Sequence, residues 1–304
     1  MMKKFKEILF LKSLKRVGKK RIYGKYWKML NDCDDFYDLV SEVELNSKFS
    51  AEDIKKAMAD AEDTYEKIVD SDIHVITVFD DEYPEKLNVM DKNRPLILYV
   101  KGNKEALLKS NIAFIGTRKP SKISQTFEQE AVKAILSSSD NVIISGLALG
   151  CDKIAHQTTV DENKITVAVL PSGVNVIKPA KHKKLAEDIL QTGGCLISEY
   201  EPDKSAFKST YVERDAIVAA LSDAIFVVEC GIESGTMHTV DFASNFNKTI
   251  FTYVPEELSE GLFDGNEFIL KNKANSVKVT DIDEFIKDLD NFEIKKQSVQ
   301  SKLM

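Results

Sequence analysis

From about residue 73 onward the chain repeats one unit, a short apolar run rich in β-branched residues followed by a stretch with helical spacing. The runs are HVITVF (74–79), LILYVKG (96–102), NIAFIGT (111–117), NVIISG (141–146), ITVAVLPSG (165–173), CLISEY (195–200), AIFVVE (224–229) and TIFTYV (249–254). Helical stretches lie between most of them, at 123–137, 152–160, 181–192, 211–221 and 235–246. Strands apolar on both faces need cover on both faces, and helices packed on either side of a parallel sheet supply it. The alternation therefore predicts an α/β fold over about 73–287: a doubly wound, mostly parallel Rossmann-like sheet with helices on both faces. With 304 residues, 43% of them hydrophobic, the chain can fill the core such a sheet needs.

Residues 1–72 follow another period. FKEILFLKSL, IYGKYWKMLND, FYDLVSEV and AEDIKKAMADAEDTYEKIV carry apolar residues at helical spacing, so a small all-helical N-terminal domain is expected. Ser50 and Asp53 have the form of a capping box for the last of these helices. LKRVGKKRIYGKYWKML reads as two short helices about a Val-Gly-Lys hairpin, similar to a helix-hairpin-helix (or SAM-like) module. Residues 288–304 read as a polar C-terminal tail.

The net charge of −7, taken as a sum, argues against a nucleic-acid partner, but its distribution does not. Residues 1–28 carry eleven Lys/Arg against one Glu, and residues 32–72 carry fourteen Asp/Glu against four Lys. That asymmetry fits a basic patch on an acidic body, either a solvated helix face or a partner site. No apolar run approaches the roughly 20 residues of a membrane helix. Glu7 and Lys12 interrupt the apolar part of the basic N-terminus, which also lacks a small-residue cleavage site. Cys33, Cys151, Cys195 and Cys230 are scattered without a CxxC pair, which favours free thiols in a reducing cytoplasm over disulfides or zinc. A cytoplasmic protein with no membrane partner, metal or cofactor is expected.

In an open α/β sheet, ligands bind beyond the carboxyl ends of the strands, and this chain puts its small-residue loops there. FIGTRKPS supplies Gly116, Thr117 and Arg118. VIISGLALGCDKIAH supplies Ser145, Gly146 and Gly150, and VVECGIESGTMHT supplies Gly231, Ser234, Gly235 and Thr236. Glycine lets backbone N–H groups approach a ligand, and a helix N-terminus favours an anion. The hydroxyls of Thr117, Ser145, Ser234 and Thr236 add donors suited to phosphate, and Arg118 adds a forked cation. None of the loops matches GxGxxG or GxxxxGK[ST], so the edge they share, more than any single turn, points to phosphate. Asp152 and His156 lie four apart on one helix face, and His238 follows the third turn. No carboxylate pair or metal-ligand cluster accompanies them, and no catalytic residue is assigned. Gly150 and Asp152 are expected to shape and start the helix, and Cys151 and His156 to be structural.

Taken in order, DDEYPEKLNVMDKNRPLILYVKGN, FIGTRKPS, SGLALGCDKIAH, SGVNVIKP, LISEYEPD, YVERDAIVAALSDAIFVVE and ESGTMHTVDFA resemble the DNA-processing protein A family (DprA, also called Smf) over about 73–280. The resemblance implies a Rossmann-like protein that binds single-stranded DNA without cleaving it, forms a homodimer, and helps load the RecA recombinase in natural transformation. It implies Gly116, Thr117 and Arg118 as phosphate contacts, Lys208 and Arg214 on the DNA backbone, and Tyr211 where a base can stack. Where the family usually has Tyr-Pro, this chain has Ile177-Lys178-Pro179, so Lys178 adds a cation. Where many members have Asn-Arg, it has Asp215 and Ala216, losing a cation and gaining a negative charge. The winged-helix domain of some members is not expected after residue 287. SDAIFVVECGIESGTMHTVDF also resembles LOG-type nucleoside-monophosphate phosphoribohydrolases, and a nucleotide-sensing module of the same superfamily is a third reading. Those hydrolases place glutamates after the Gly-Thr turn, where this chain has Met237, His238 and Thr239. The single-strand binder is the expected function.

Overall fold

The computed structural model describes residues 2–256 and 261–303, with side chains described as far as residue 292. Five helices come first: α1 (Phe5–Ser13), α2 (Lys19–Arg21), α3 (Trp27–Asp32), α4 (Phe36–Asn46) and α5 (Ala51–Val69), with a π-helical turn at Ile22–Tyr26 joining α2 to α3. The capping box of α5 forms as expected. The Ser50 hydroxyl accepts the Asp53 N–H, and the Asp53 carboxylate accepts the Ser50 N–H.

Each of the eight apolar runs yields a strand: β1 (Ile73–Thr77), β2 (Ile97–Gly102), β3 (Asn111–Ile115), β4 (Val142–Ser145), β5 (Thr166–Val169), β6 (Cys195–Ser198), β7 (Ala224–Val227) and β8 (Thr249–Tyr253). Between and after them run α6 (Lys122–Ser138), α7 (Cys151–Asp161), α8 (Lys183–Gln191), α9 (Lys208–Leu221), α10 (Thr236–Asn245), α11 (Asp264–Asn272), the unexpected β9 (Ser276–Val279) and α12 (Ile282–Leu303). The sheet order is β1-β2-β6-β5-β4-β3-β7-β8-β9. All pairings from β6 to β9 are parallel, while β2 is antiparallel to both β1 and β6. Strands β3 to β6 are laid down in one direction and β7 to β9 in the other. The crevice beyond the carboxyl ends of β3 and β7 is therefore the topological switch point, where such sheets bind ligands.

Period-two alternation feeds both faces. On β3, Ile112 and Phe114 enter one layer and Ala113 and Ile115 the other, and β7 repeats this with Phe226 and Val227. Phe127 and Ala131 of α6 and Phe285 of α12 close the first layer; Ile217 and Leu221 of α9 and Val240 of α10 close the second. The N-terminal helices continue this core. Phe5, Leu9 and Ile68 share a cluster with Ile73, Tyr99, Leu170, Leu185 and Leu196. A Lys19–Glu199 ion pair at 2.7 Å and a bond from the Thr77 hydroxyl to the Lys3 carbonyl at 2.6 Å tie the same parts together. At the other end, α12 runs through the expected start of a polar tail at residue 288: Leu289 is buried and Phe292 packs on the same layer. Among the described residues, no helix is long and apolar enough to cross a membrane.

Candidate functional site

At the switch point lies a cleft of about 740 Å³, floored by the loops after β3, β4 and β7 and walled by the first turns of α9 and α10. Its geometry is set by two buried carboxylates. Glu229, just past β7, pins the loop after β3 at both ends. The Thr117 N–H donates to the Glu229 carbonyl at 2.7 Å, and Ser121 donates its N–H and hydroxyl to Glu229 Oε2 at 2.9 and 2.6 Å. Arg118 stands exposed on the bow between these anchors. The loop after β4 locks against this one through the Cys151 N–H, which donates to the Thr117 carbonyl at 3.2 Å. Gly150 has φ 75°, and a Cβ there would run into that carbonyl, so conformation and space both call for glycine.

Asp152 is the second carboxylate. Its Oδ2 accepts the Gly146 N–H at 3.1 Å and the Ala148 N–H at 3.2 Å. Arg214, only 6% exposed, lies across this turn and fills the place where a Gly146 side chain would be. Its Nη1 donates to the Val169 carbonyl at 3.2 Å and stands 3.9 Å from Asp152 Oδ2. Its Nε stands 2.9 Å from Asp215 Oδ1, an ion pair without hydrogen-bond alignment. Burial pushes the Asp215 carboxyl up, against the pull of the adjoining Arg214.

Three expected contacts change character. Ser145 is buried and donates its hydroxyl to the Phe114 carbonyl at 2.7 Å, cross-linking β4 to β3, and it does not border the cleft. The Gly146 N–H is engaged by Asp152, and this glycine instead makes room for a guanidinium. Arg214 is an internal counter-charge between two aspartates, not a free clamp. The sequence signal for all three is the same: apolar strands running into short loops leave backbone N–H and carbonyl groups that something must satisfy.

The remaining candidates meet at the rim. Arg118, Lys208 and Lys178 are exposed and form no ion pair among the described residues. Arg118 and Lys208 border the cleft with Gly116 and Thr117, and Ser234, Gly235 and Thr236 form its far wall. Lys178 borders a recess of about 190 Å³ that shares Arg118, Gly146, Tyr211 and Arg214 with the cleft. Half-buried Tyr211 thus stands where the two spaces join. The Ser234 hydroxyl is buried without a hydrogen-bond partner. Phe207, 60% exposed at the head of α9, was not singled out in the sequence, nor was Glu229. An acid directly after an all-apolar strand, as in VVE, was the available signal for the second, because a carboxylate there has to be satisfied.

His156 lies inside the fold, its Nδ1 2.7 Å from Thr166 Oγ1, and burial drives its pKa down to about 3. The four cysteines are free thiols, three of them buried. Among the described residues, no group of three or more His, Cys, Asp or Glu could hold a metal ion.

A family model described as DNA recombination-mediator protein A matches residues 74–290, more than half of the chain. Protein Smf of Escherichia coli strain K12 is 29% identical over 216 residues, which are 71% of this chain and 56% of that protein. The chain thus spans a little over half the length of this relative. The fold matches the X-ray structure of DNA processing protein A from Streptococcus pneumoniae with a TM-score of 0.78 at 23% identity, covering 94% of this chain and 98% of that one. It also matches DNA processing protein A from Helicobacter pylori, a structure concerned with a single-stranded DNA binding mode. There the TM-score is 0.63 at 26% identity, covering 71% of this chain and 95% of that one.

Proposed function

The chain belongs to the DNA recombination-mediator protein A family, and from that membership we propose that it binds single-stranded DNA in the cleft between β3 and β7. The observation that carries the reading is the rim: three exposed cations without ion pairs, Arg118, Lys208 and Lys178, set around one half-buried ring, Tyr211. Cations that follow a phosphate backbone, with an aromatic face under a base, are what sequence-tolerant single-strand binding requires. The Gly116-Thr117 turn and the Ser234-Gly235-Thr236 turn add hydrogen-bonding groups on either wall. On this reading the protein works in the cytoplasm as a homodimer, protects single strands without hydrolysing them, and delivers them to the RecA recombinase during DNA uptake and recombination. The family relationship supports that setting.

An anisotropy titration with labelled oligo-dT tests the reading. Wild-type protein is expected to bind, and raising the salt to weaken it. Arg118→Ala should lower the slope of log K against log salt by about 0.7, the value for one phosphate contact on a single strand. Tyr211→Ala should cost about 1–3 kcal/mol, roughly five- to 150-fold in affinity, with little change in that slope. Equal binding by all three proteins removes the site, and release of free base from a nucleoside monophosphate removes the non-enzymatic reading.

A further inference from the structure

The charges of the cleft are layered. Its rim carries Arg118 and Lys208, exposed and without ion pairs, while its floor carries two carboxylates, Asp152 and Asp215, against the single guanidinium of Arg214. A phosphate is therefore held at the rim and turned away from the floor. Whatever part of a strand enters deeper has to be uncharged, and the uncharged part of a nucleic acid with a distinctive hydrogen-bonding edge is the base.

The two floor carboxylates differ in what they have left to offer. Asp152 carries the heavier load: its Oδ2 takes two backbone N–H groups and faces Arg214. Asp215 meets Arg214 through Oδ1 and forms no other hydrogen bond or ion pair among the described residues. It lines the cleft as an acceptor and has no proton to give when ionised. The Ser234 hydroxyl, on the same cleft, is buried without a partner, and a hydroxyl can turn to donate or accept. An acceptor and a free hydroxyl in one cleft suit the edge of cytosine, whose N4 amino group donates while its ring N3 and O2 accept. Thymine puts a carbonyl oxygen where cytosine has the amino group, setting two acceptors against each other with no hydrogen between them.

Resting on the single-strand reading of the cleft, we propose that Asp215 makes the site base-selective, favouring bases with an exocyclic amino group, cytosine above all among the pyrimidines, over thymine. The physical basis is that a buried polar group left unpaired costs more than a made hydrogen bond gains, so discrimination comes mainly from rejecting the wrong base. Arg118, Lys208 and Lys178 then set how tightly any strand is held, and Asp215 sets which base goes down.

The test compares oligo-dC, oligo-dT and an oligomer of N4,N4-dimethylcytosine, which has lost both amino hydrogens, at equal length and salt. Wild-type protein is expected to prefer oligo-dC over oligo-dT by roughly ten- to 150-fold, the scale of one hydrogen bond to a charged group. The dimethylated oligomer should fall to the level of oligo-dT. Asp215→Asn, whose amide can both donate and accept, should bring the dC/dT ratio close to one. A wild-type ratio of one, undiminished binding of the dimethylated oligomer, or a preference that survives Asp215→Asn overturns the proposal. The dimethylated arm decides the matter even if the variant does not fold. Equal, tight binding of all oligomers removes base selection alone, whereas no binding of any of them removes the single-strand reading with it.

Discussion

Arg118 and Arg214 face the same cleft from opposite electrostatic surroundings. Arg118 sits on a loop held at both ends by Glu229, so its guanidinium is left to solvent. Arg214 sits nearly two helical turns inside α9, where Asp152, Asp215 and the Val169 carbonyl surround it. The difference lies in partners contributed by three other segments, which no local pattern encodes. His156 shows the converse, since its buried role was legible from its place on a helix inside the βα repeat. Its titration gives a prediction with a definite sign. The unfolded chain protonates this imidazole below about pH 6.5, while the folded one resists until about pH 3. The contribution of His156 to stability is therefore complete above pH 6.5 and is lost as pH falls through that window, by about 1.4 kcal/mol per pH unit. Urea unfolding at pH 7 and pH 5 should show a smaller loss for His156→Gln than for wild type. Equal losses would mean that some other group dominates the acid side.

At the level of elements, the βα alternation is legible because it depends on local composition: each strand is apolar on both faces and each helix has one apolar stripe. What escaped was β9, whose SVKV is half-exposed, and the start of α12, where Phe285, Leu289 and Phe292 repeat at helical spacing within a polar stretch. Both lie at the edge of the molecule, where one face is covered and the pattern is correspondingly faint. The start of α5 was legible for the opposite reason, because a capping box is wholly local. Ser50→Ala removes the acceptor for the Asp53 N–H and should cost about 1 kcal/mol. The urea midpoint should fall with an unchanged m-value; a change in m would point to altered compactness instead.

For the molecule as a whole, the sequence suggested two bodies, and the described core joins them. Phe5, Leu9 and Ile68 lie in one cluster with Leu170, Leu185 and Leu196, because the apolar stripes of the helical region face the sheet as well as one another. The acidic and basic blocks of the first 72 residues masked this, since charge patterning reports on the outer face only. Residues 1–72 produced alone are therefore expected to be helical by far-UV circular dichroism but to melt without a cooperative transition. A sharp, reversible melt of that fragment would show that it folds independently.

The shared cluster also bears on the order in which the protein is made. The helical segment leaves the ribosome ahead of the sheet, and the surface that covers it is completed only when Leu185 and Leu196 of α8 and β6 have followed. For that interval Phe5, Ile8, Leu9 and their neighbours have no lasting cover. The nascent chain is then most open to wrong association before α9 and α10, the walls of the cleft, have been made.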